Sequence, residues 1–585
     1  MRHHLYRPIV LLLVLVLAMP VWAENGPELP SSPAARRGFV PGPVPEKSVP
    51  ASAIYRHPAE DGGAVPGVKP AVVRFSDIAL PAVPVTEAPL RSHIQGEILQ
   101  SQGGVDLIPT TELPAWPTET VDSSRPDIGS AFTKALGDIE TGFDGLAATG
   151  WIPPDTVMAP GPSHVVEATN SGYAVYSKTG TNLVGYLTFD SFFTGVKPGG
   201  WAGFMFDPRV LYSAEHQKFC MLVLGLDQTN MTSYVFIAIS QTTDPTGLWW
   251  IWAINSNYAG FTADSWLDYA GLGADTWGVY FTGNYFLWAG GYKYSTIVSL
   301  SPGMFSGGAS TGWQFVNLQW PSTSLASSVQ PALPLSVAGG SETFFVNSWS
   351  GFGSQLLLWT LTGDRTSSPT LNKAVVTVAA YSALGENVDQ PGSAFDIDGG
   401  DSRIMNAFYA QRRVYTALTS DTNGNGSSSG AFLAKVNVDS NTAEWNTTLD
   451  GGAGWYYFFP AIVIGDPFGT SPPVSVFLSW TYPALTYYAS AAARTYGGPP
   501  GNLNGPFPIL ATGLAPYVAL DGNGRNRWGD YTGGGFDFTH LSVWGAVEYA
   551  GTSNTWRTRI SELSNPIFAD GFESGNTSAW SSTTP

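Results

Sequence analysis

The sequence predicts an all-β fold, and three observations favour a β-propeller of six to eight blades, with seven the favoured number. Charged residues make up only 12% of the chain, whereas the exposed faces of helices need many Lys, Glu and Arg side chains. Short apolar and aromatic runs alternate with turns of Gly, Asn, Asp and Ser, which is typical of strands joined by hairpins. The third observation is a loose internal repeat.

The repeat consists of segments that open with Asp or Gln beside Pro or Tyr and continue as strand, turn and strand. Successive starts lie about 50 to 70 residues apart, the length of a four-stranded blade with one long loop. The segments share few identical residues, so a pair of β-sandwiches is the alternative fold. The starts lie at Pro153, Asp207, Asp268, Gln330, Gln390, Phe459 and Asp530.

The N-terminal part has two segments that differ from the repeat region. Residues 1–23 have the pattern of a signal peptide, because Arg2 and Arg7 accompany a short apolar run and an A-x-A-like site. Residues 24–150 form a Pro-rich leader or linker. From residue 24 to about residue 127 we expect an extended segment with little regular structure, and the alternative is that it wraps the domain. The sequence therefore predicts a secreted or cell-surface protein, and no later segment is long and apolar enough for a membrane span.

The predicted β-propeller extends over residues 151–563, and a short polar and aromatic tail occupies residues 564–585. The whole chain has a net charge of -18. A surface of that charge repels nucleic acid and acidic membranes, because binding either requires clustered Lys and Arg. Cys220 is the only cysteine, so an internal disulfide and Cys-ligated zinc are excluded.

Five motifs stand out in the repeat region: PPDT (153–156), DPRVLY (207–212), SQTTDPTG (240–247), GDSRIMNA (400–407) and RWGDYTG (527–533). They resemble those of a family of secreted bacterial β-propeller proteins of uncharacterised activity. The resemblance implies the fold and export, and it implies almost nothing about activity. One departure is that Val157 and Met158 follow the first motif where we expect Asn-Gly. The tail has DGFESG followed by AW, which resembles a C-terminal motif of exported Gram-negative proteins.

Polar residues at the repeat starts are the first candidates for a site. In a propeller the innermost strands bring the starts of the blades towards one end of a central channel. Converging carboxylates can hold a hard cation, or act as acid and base in glycoside cleavage. The alternative is that they cap strand ends and anchor the blades. The candidates are Asp155, Asp207, Asp268 and Asp530, with Gln330 and Gln390 at comparable places.

Three arginines are notable in a chain so poor in arginine, namely Arg209, Arg403 and Arg527. If they converge, their guanidinium groups resemble those with which sialidases clamp a substrate carboxylate. The repeated Ser-x-Asp-x-Gly-x-x-Trp boxes of sialidases are absent from the sequence. Each arginine also lies near an acid in the chain, so local ion pairs are the alternative. Asp401 and Asn406 are further candidates for ligand contacts.

A calcium loop is a separate hypothesis. Asp421, Asn423 and Asn425 alternate with other residues as calcium ligands do, and glycines follow at 424 and 426. No Glu stands at the twelfth position, where Phe432 is found. A hairpin turn rich in Asn and Gly accounts for the same residues. We therefore expect either no cofactor or Ca²⁺.

Aromatic side chains near loops can stack on sugar rings, and Trp250 and Trp455 are the candidates. The alternative is that aromatic residues fill the core between blades. No G-x-S-x-G or H-E-x-x-H motif is present. The sequence therefore favours an exported binding or adhesion propeller, with an extracellular polysaccharide or cell-surface glycan as partner. The alternative is a carbohydrate-active enzyme, a hydrolase or lyase, that uses the Asp and Arg residues around the axial funnel.

Overall fold

The computed structural model describes residues 63–65, 67–74, 78, 138–256, 264–335, 341–466, 472–497, 507–521, 524–552 and 554–564. The signal peptide, most of the leader and the tail beyond Ser564 lie outside these residues, so the predictions for them stay predictions. The described part is all-β, as expected. It contains one helix of a single turn, α1 (Phe189–Phe192), and none of its helices is long and apolar enough to cross a membrane.

Three strands precede the repeat region, namely β1 (Gly63–Val65), β2 (Ala71–Arg74) and β3 (Ile139–Ala147). The strands that follow form antiparallel meanders in which chain order is kept. The first meander comprises β4 (Val157–Pro160), β5 (His164–Thr169), β6 (Gly172–Ser177) and β7 (Asn182–Thr188). The next comprises β8 (Phe204–Ser213), β9 (Lys218–Asp227), β10 (Thr232–Ser240) and β11 (Leu248–Asn255). A third comprises β12 (Ser265–Asp275), β13 (Gly278–Leu287), β14 (Tyr292–Leu300) and β15 (Gly312–Phe315).

The remaining meanders follow the same plan. One comprises β16 (Gln330–Pro334), β17 (Thr343–Ser348), β18 (Phe352–Thr362) and β19 (Thr370–Ser382). Another comprises β20 (Asn406–Ala410), β21 (Arg413–Asp421), β22 (Ser429–Asn437) and β23 (Thr442–Leu449). It is followed by β24 (Tyr456–Ile464), β25 (Val474–Tyr482), β26 (Tyr487–Tyr496) and β27 (Ile509–Ala511). The last comprises β28 (Gly533–Asp537), β29 (Ser542–Ala550) and β30 (Trp556–Leu563).

The first strands of successive meanders lie against one another and form a ring around an axis. β4 contacts β8, and the contacts continue through β12, β16, β20 and β24 to β28, which contacts β4 again. The central strands are apolar on both faces; β9, for example, is buried along nearly its whole length. Both faces of such a sheet must be covered, and neighbouring sheets in a ring cover them. The described residues therefore form a β-propeller.

Residues that precede the repeat region add strands to the sheets. Little regular structure was expected from residue 24 to about residue 127, but β1 and β2 lie in this segment. β2 pairs with the outer edge of β11, and β1 pairs with the outer edge of β15. β3 pairs with β30 and supplies the fourth strand of the last sheet, which gives the order β28-β29-β30-β3. The ring is thus closed by residues from both ends of the repeat region.

One of the repeat starts also requires a correction. Gln390 does not begin a meander; it lies in the long loop between β19 and β20, and the strand of that meander begins at Asn406. Asp207, Gln330 and Phe459 do lie on the first strands β8, β16 and β24. The sequence could not distinguish a residue on a first strand from one in a loop, because a polar residue beside proline is common in both.

Candidate functional site

A repeated bulge shapes the end of the axis at which the first strands begin. The pairing of β8, β12 and β24 with the next strand shifts register at equivalent places. The residue inside each shift has a positive φ: 49° at Asp207, 51° at Tyr269 and 49° at Phe459. Such φ values are unusual for residues other than glycine, and bulges of this kind turn a side chain in a new direction. Asp207 is therefore equivalent to Tyr269 and Phe459, whereas Asp268 precedes its bulge residue.

The structure brings the four predicted acids together. The backbone N–H of Asp530 donates to Asp155 Oδ1 over 2.7 Å, across 375 positions of the chain. Asn170 donates from Nδ2 to Asp155 Oδ2 over 2.6 Å and accepts at Oδ1 from the backbone N–H of Asp207 over 2.8 Å. A side-chain hydrogen bond then joins Asp207 to Asp268. One connected network thus links the first meander to the second, the third and the last.

Asp207 lies at the centre of this network. Its Oδ2 accepts a hydrogen bond from the backbone N–H of Tyr269 over 2.8 Å and another from the hydroxyl of Tyr531 over 3.0 Å. Burial raises the pKa of Asp207 well above the usual range, which favours the protonated form that can donate to Asp268. Tyr269 and Asp268 belong to the third meander and Tyr531 directly precedes the last one, so the arrangement also fixes these sheets relative to the second.

The pKa values of the acids differ from those of exposed carboxyl groups. Burial, with nearby carboxylates as a second cause, raises the pKa of Asp155 and Asp207 well above the usual range. Burial and then Asp530 raise the pKa of Asp268 to about 6. Burial and Asp155 raise the pKa of Glu548, which lies behind the cluster. The deepest acids therefore favour the neutral form, and Asp268 titrates near physiological pH.

The three predicted arginines lie in the same cluster. Arg403 donates to Asp401 over 2.7 Å, and its guanidinium lies 4.4 Å from the centre of the Tyr269 ring. Arg527 donates to Asp530 over 3.0 Å. Both arginines form the local ion pairs that were the alternative in the sequence analysis. Both also lie within the cluster of acids.

Arg209 is held differently. Its Nε donates to the carbonyl of Ala270 over 2.6 Å, and its guanidinium lies 3.5 Å from the centre of the Tyr531 ring. Among the described residues it forms no ion pair with a carboxylate, although its charge is near enough to lower the pKa of Asp207. Stacking on an aromatic face compensates part of the desolvation of this charge.

The cluster is graded from buried to accessible. Asp155 and Asp207 are 0% exposed. Asp268 is half-buried, and the side chains of Asp530 and Arg403 retain 16% and 17% of their exposure. We call the accessible group, Asp268, Asp401, Arg403 and Asp530, the funnel rim. The rim presents ionised donors and acceptors to solvent above a layer of neutral carboxyl groups.

Two long loops form the wall beside the rim. One joins β19 to β20, and the other joins β27 to β28. Gln390 of the first loop donates to the carbonyl of Tyr517 over 2.7 Å and accepts from its N–H over 2.8 Å. Arg525 forms a buried ion pair with Asp521 over 2.7 Å. Gln390 is therefore a structural link between loops, and it does not face a ligand.

The other candidate ligand residues have separate places. Gln330 lines a cavity on the axis. The Asn406 side chain exchanges two hydrogen bonds with the backbone of Ile462 and so joins β20 to β24. Trp250 lies on β11, the fourth strand of its meander, away from the axis. Trp455 is half-buried and stacks on Tyr482, with ring centres 4.3 Å apart.

The Asp421 loop has the bonding of a hairpin turn. Asp421 accepts hydrogen bonds from the backbone N–H groups of Asn423, Gly424 and Gly426. Asn423 and Asn425 accept from the next N–H groups along the loop. No group of three or more His, Cys, Asp or Glu side chains within the described ranges has the geometry to hold a metal ion. The oxygens of Asp421, Asn423 and Asn425 thus serve as acceptors for the loop amides, which is the bonding of the hairpin alternative.

We therefore expect calcium to leave thermal stability unchanged. A ligand that binds only the folded state raises the melting temperature, and the rise grows with the logarithm of the ligand concentration above Kd. Melts in excess Ca²⁺ and in chelator should give the same Tm within error, and Asp421→Asn should not alter this equality. A calcium-dependent rise in Tm that Asp421→Asn abolishes would contradict the hairpin interpretation.

Several residues of the site are not evident in the sequence. Asn170 sits in a hairpin turn, where Asn is common for local reasons. Tyr269 and Tyr531 are two of many tyrosines, and Glu548 lies inside an apolar strand. The signal that was available for Tyr531 is its position beside Asp530 in the RWGDYTG motif. For Asn170 and Glu548, no neighbouring residue in the sequence indicates that they belong to the site.

The ring of sheets and the polar cluster at its axis define an all-β propeller with an axial site. No protein-family model matches the sequence, and no curated protein matches it. Over 62% of its length the chain is similar to the hemagglutinin-neuraminidase ectodomain of parainfluenza virus 5, of which it covers 82%, at 7% identity and a TM-score of 0.33. Over 66% of its length it is similar to Trypanosoma rangeli sialidase in complex with sialic acid, of which it covers 56%, at 8% identity and a TM-score of 0.32.

A GH43_1 enzyme from Xanthomonas citri is a further similar structure. The chain covers 89% of it with 52% of its own length, at 11% identity and a TM-score of 0.25. The chain spans a little over half the length of the T. rangeli protein. At these identities and TM-scores nothing about the site follows from the likeness, and the description of the fold rests on the strand pairings given above.

Proposed function

We propose that this protein is an exported, seven-bladed β-propeller that binds a glycan at the funnel rim. The blade number is supported by the meanders that begin with β4, β8, β12, β16, β20, β24 and β28 in the described residues. Export is supported by the signal-like pattern of residues 1–23. The observation that carries the function is the half-buried rim itself, where charge is concentrated in a chain otherwise poor in charge.

The chemistry of the rim suits a polyhydroxylated ligand. Sugar hydroxyl groups both donate and accept, and they are held best by ionised groups that are already fixed in place. Asp401 and Asp530 are fixed by their arginines, Arg403 and Arg527. Asp268 differs from them, because among the described residues its Oδ1 is buried without a hydrogen-bond partner. Asp268 is thus the rim acceptor that a ligand hydroxyl would satisfy.

An aromatic surface on the same face supports an extended ligand. Trp455 directly precedes β24, so it lies at the end of the ring where the first strands begin. Its ring is parallel to that of Tyr482, with an interplanar angle of 7°, and both are half-buried. Flat, partly exposed aromatic rings stack on the apolar faces of sugars. A chain of several sugar units could contact the rim and this platform together.

Glycoside cleavage is the second candidate function, and the acid Asp268 favours it. A carboxyl group with a pKa of about 6 is suited to protonate a leaving oxygen near neutral pH. Its neighbour Asp530 forms an ion pair with Arg527. Asp530 is therefore the candidate for the second, ionised carboxylate, which acts as nucleophile or general base in glycosidases. Asp207 and Asp268 are not suited to be the two catalytic carboxyl groups, because they are hydrogen-bonded to each other. Glycosidases hold these two groups about 5 Å or more apart.

The test is glycan binding by the wild type and by rim variants. We expect Asp268→Asn and Arg403→Gln to weaken binding to a hit from a glycan array by about tenfold or more, since each removes a charge-assisted hydrogen bond. Affinity is measured by calorimetry. Asp364→Asn is the matched control, because it removes an exposed acid in the β18–β19 turn.

Release of reducing ends from the bound glycan decides between the two candidates. Cleavage that depends on Asp268 and falls as pH rises above about 6 would indicate an enzyme, because the general acid then loses its proton. Binding without cleavage would indicate a lectin-like role. If the array shows no glycan that the rim variants lose, glycan binding is wrong and the rim is a structural network.

A further inference from the structure

A cavity lies on the axis beneath the acid cluster. Its empty volume, including the open mouth, is about 480 Å³. First strands of several meanders contribute to its wall, so it is part of the central channel. Apolar side chains such as Leu272 and Met405 form much of the lining. The polar side chains of the lining are Arg209, Gln330, Asn406 and Thr532.

Two of these polar groups are already satisfied. Asn406 uses its amide on the backbone of Ile462. Thr532 donates its hydroxyl to the carbonyl of Phe459 over 2.5 Å. The cavity therefore depends on Arg209 and Gln330 for its remaining hydrogen-bonding capacity.

In the described part of the chain, Arg209 and Gln330 each have one buried donor atom without a hydrogen-bond partner. Arg209 is 9% exposed and Gln330 is 3% exposed. Within the described residues, Arg209 Nη2 and Gln330 Nε2 are buried and have no hydrogen-bond partner. A buried donor without an acceptor lowers the stability of the fold, because the group has lost its hydrogen bonds to water. The loss is larger when the donor is charged. Two unmet donors in one cavity call for an acceptor.

The positive charge of Arg209 also indicates that the cavity takes an anionic acceptor. Arg403 and Arg527 have carboxylate partners, but the guanidinium of Arg209 has none among the described residues. Burial favours the neutral form of Asp207, the acid whose pKa responds to Arg209. An uncompensated buried guanidinium is stabilised by an anion, and its planar pair of N–H groups matches a carboxylate.

We propose that the axial cavity binds a small carboxylate anion, held by Arg209 from β8 and by Gln330 from β16. One carboxylate oxygen accepts from Arg209 Nη2, and another accepts from Gln330 Nε2. The positive charge of Arg209 disfavours a cation in this cavity. The site is distinct from the funnel rim and does not depend on glycan binding there. The carboxylate can belong to a free acid or to an acidic sugar.

The experiment measures anion binding to the full-length protein. Crystals soaked in bromide should show an anomalous peak between Arg209 and Gln330. In solution, acetate above its Kd should raise Tm by about 1–2 °C for each tenfold increase in concentration. We expect Gln330→Leu to weaken acetate binding about three- to tenfold, and Arg209→Lys to weaken it by more, because lysine lacks the planar fork.

Gln314→Leu is the matched control. Gln314 is another buried glutamine, but its Nε2 donates to Thr296 and Tyr285, and it does not line the cavity. This variant should lose stability and keep the full response to acetate. The absence of a bromide peak, water alone between the two donors, or an equal acetate response in the wild type and Gln330→Leu would overturn the proposal.

Glucuronate and glucose distinguish the two sources of carboxylate. Tighter binding of glucuronate than of acetate, lost in Arg209→Lys and weakened in Asp268→Asn, would show that the carboxylate belongs to a sugar that also contacts the rim. Equal binding of acetate and glucuronate, unchanged in Asp268→Asn, would show a free acid. Because Asp268→Asn tests only the rim, failure of the glycan proposal and failure of the anion site give different results.

Discussion

Replacing Asp207 with alanine is expected to destabilise the protein by about 3 kcal/mol or more. The substitution leaves the backbone N–H of Tyr269 and the hydroxyl of Tyr531 without their acceptor, in a place where Asp207 is 0% exposed. It also removes the side-chain hydrogen bond between Asp207 and Asp268. The loss is measured as the free energy of unfolding in denaturant at pH 7.

Asp207→Asn is the matched variant, and its effect should have the opposite sign at high pH. Asparagine can accept at Oδ1 from Tyr269 and Tyr531, and it can donate from Nδ2 to Asp268, as the protonated acid does. Burial raises the pKa of Asp207 in the folded state, so the wild type loses stability as pH rises above the unfolded pKa of about 4. The variant has no proton to lose.

We therefore expect Asp207→Asn to match the wild type near pH 4 and to exceed it by about 1 kcal/mol or more at pH 8, since one pKa unit is worth about 1.4 kcal/mol. Unfolding free energies of both proteins across this range provide the measurement. A variant that is less stable than the wild type at pH 8 would mean that Asp207 is ionised in the folded state and that the shared proton lies elsewhere.

Removing β3 is expected to have the largest effect on the fold. β3 covers the edge of β30, and the N–H of Leu146 in β3 donates to the buried carboxylate of Glu167 in β5 over 2.8 Å. A deletion of residues 24–148 removes both contacts and opens the ring. At about 1 kcal/mol for each lost hydrogen bond, the cost is on the order of 5 kcal/mol.

A deletion of residues 24–137 is the control, because it also removes β1 and β2 but keeps β3. Comparing the two deletions isolates the contribution of ring closure. The shorter deletion should melt below the wild type, because it loses the pairings of β1 and β2. The longer deletion should melt about 5–10 °C below the shorter one and aggregate through the exposed edge of β30. Equal melting of the two proteins would show that β3 does not close the ring.

The sequence was most informative where charge is rare. Because charged residues are only 12% of the chain, the acids at four repeat starts and three of the few arginines were the candidates. The structure places them in one cluster: Asp155, Asp207, Asp268, Asp530, Arg209, Arg403 and Arg527. The reason is physical, since a buried charge is retained only where other groups compensate it. The same reasoning failed for Gln390, because an amide side chain is equally useful as a link between two loops.

The sequence by itself determined the all-β class, the repeated unit and the polar character of one end of the axis. These properties follow from composition, from alternation along strands and from spacing along the chain, all of which are local. Only the tertiary structure decided that β3 closes the ring, that Asn170 joins Asp155 to Asp207, and that Arg209 has no carboxylate partner among the described residues. Those properties depend on atoms that lie from 15 to more than 400 positions apart in sequence. Packing of the sheets around the axis brings such atoms within hydrogen-bonding distance.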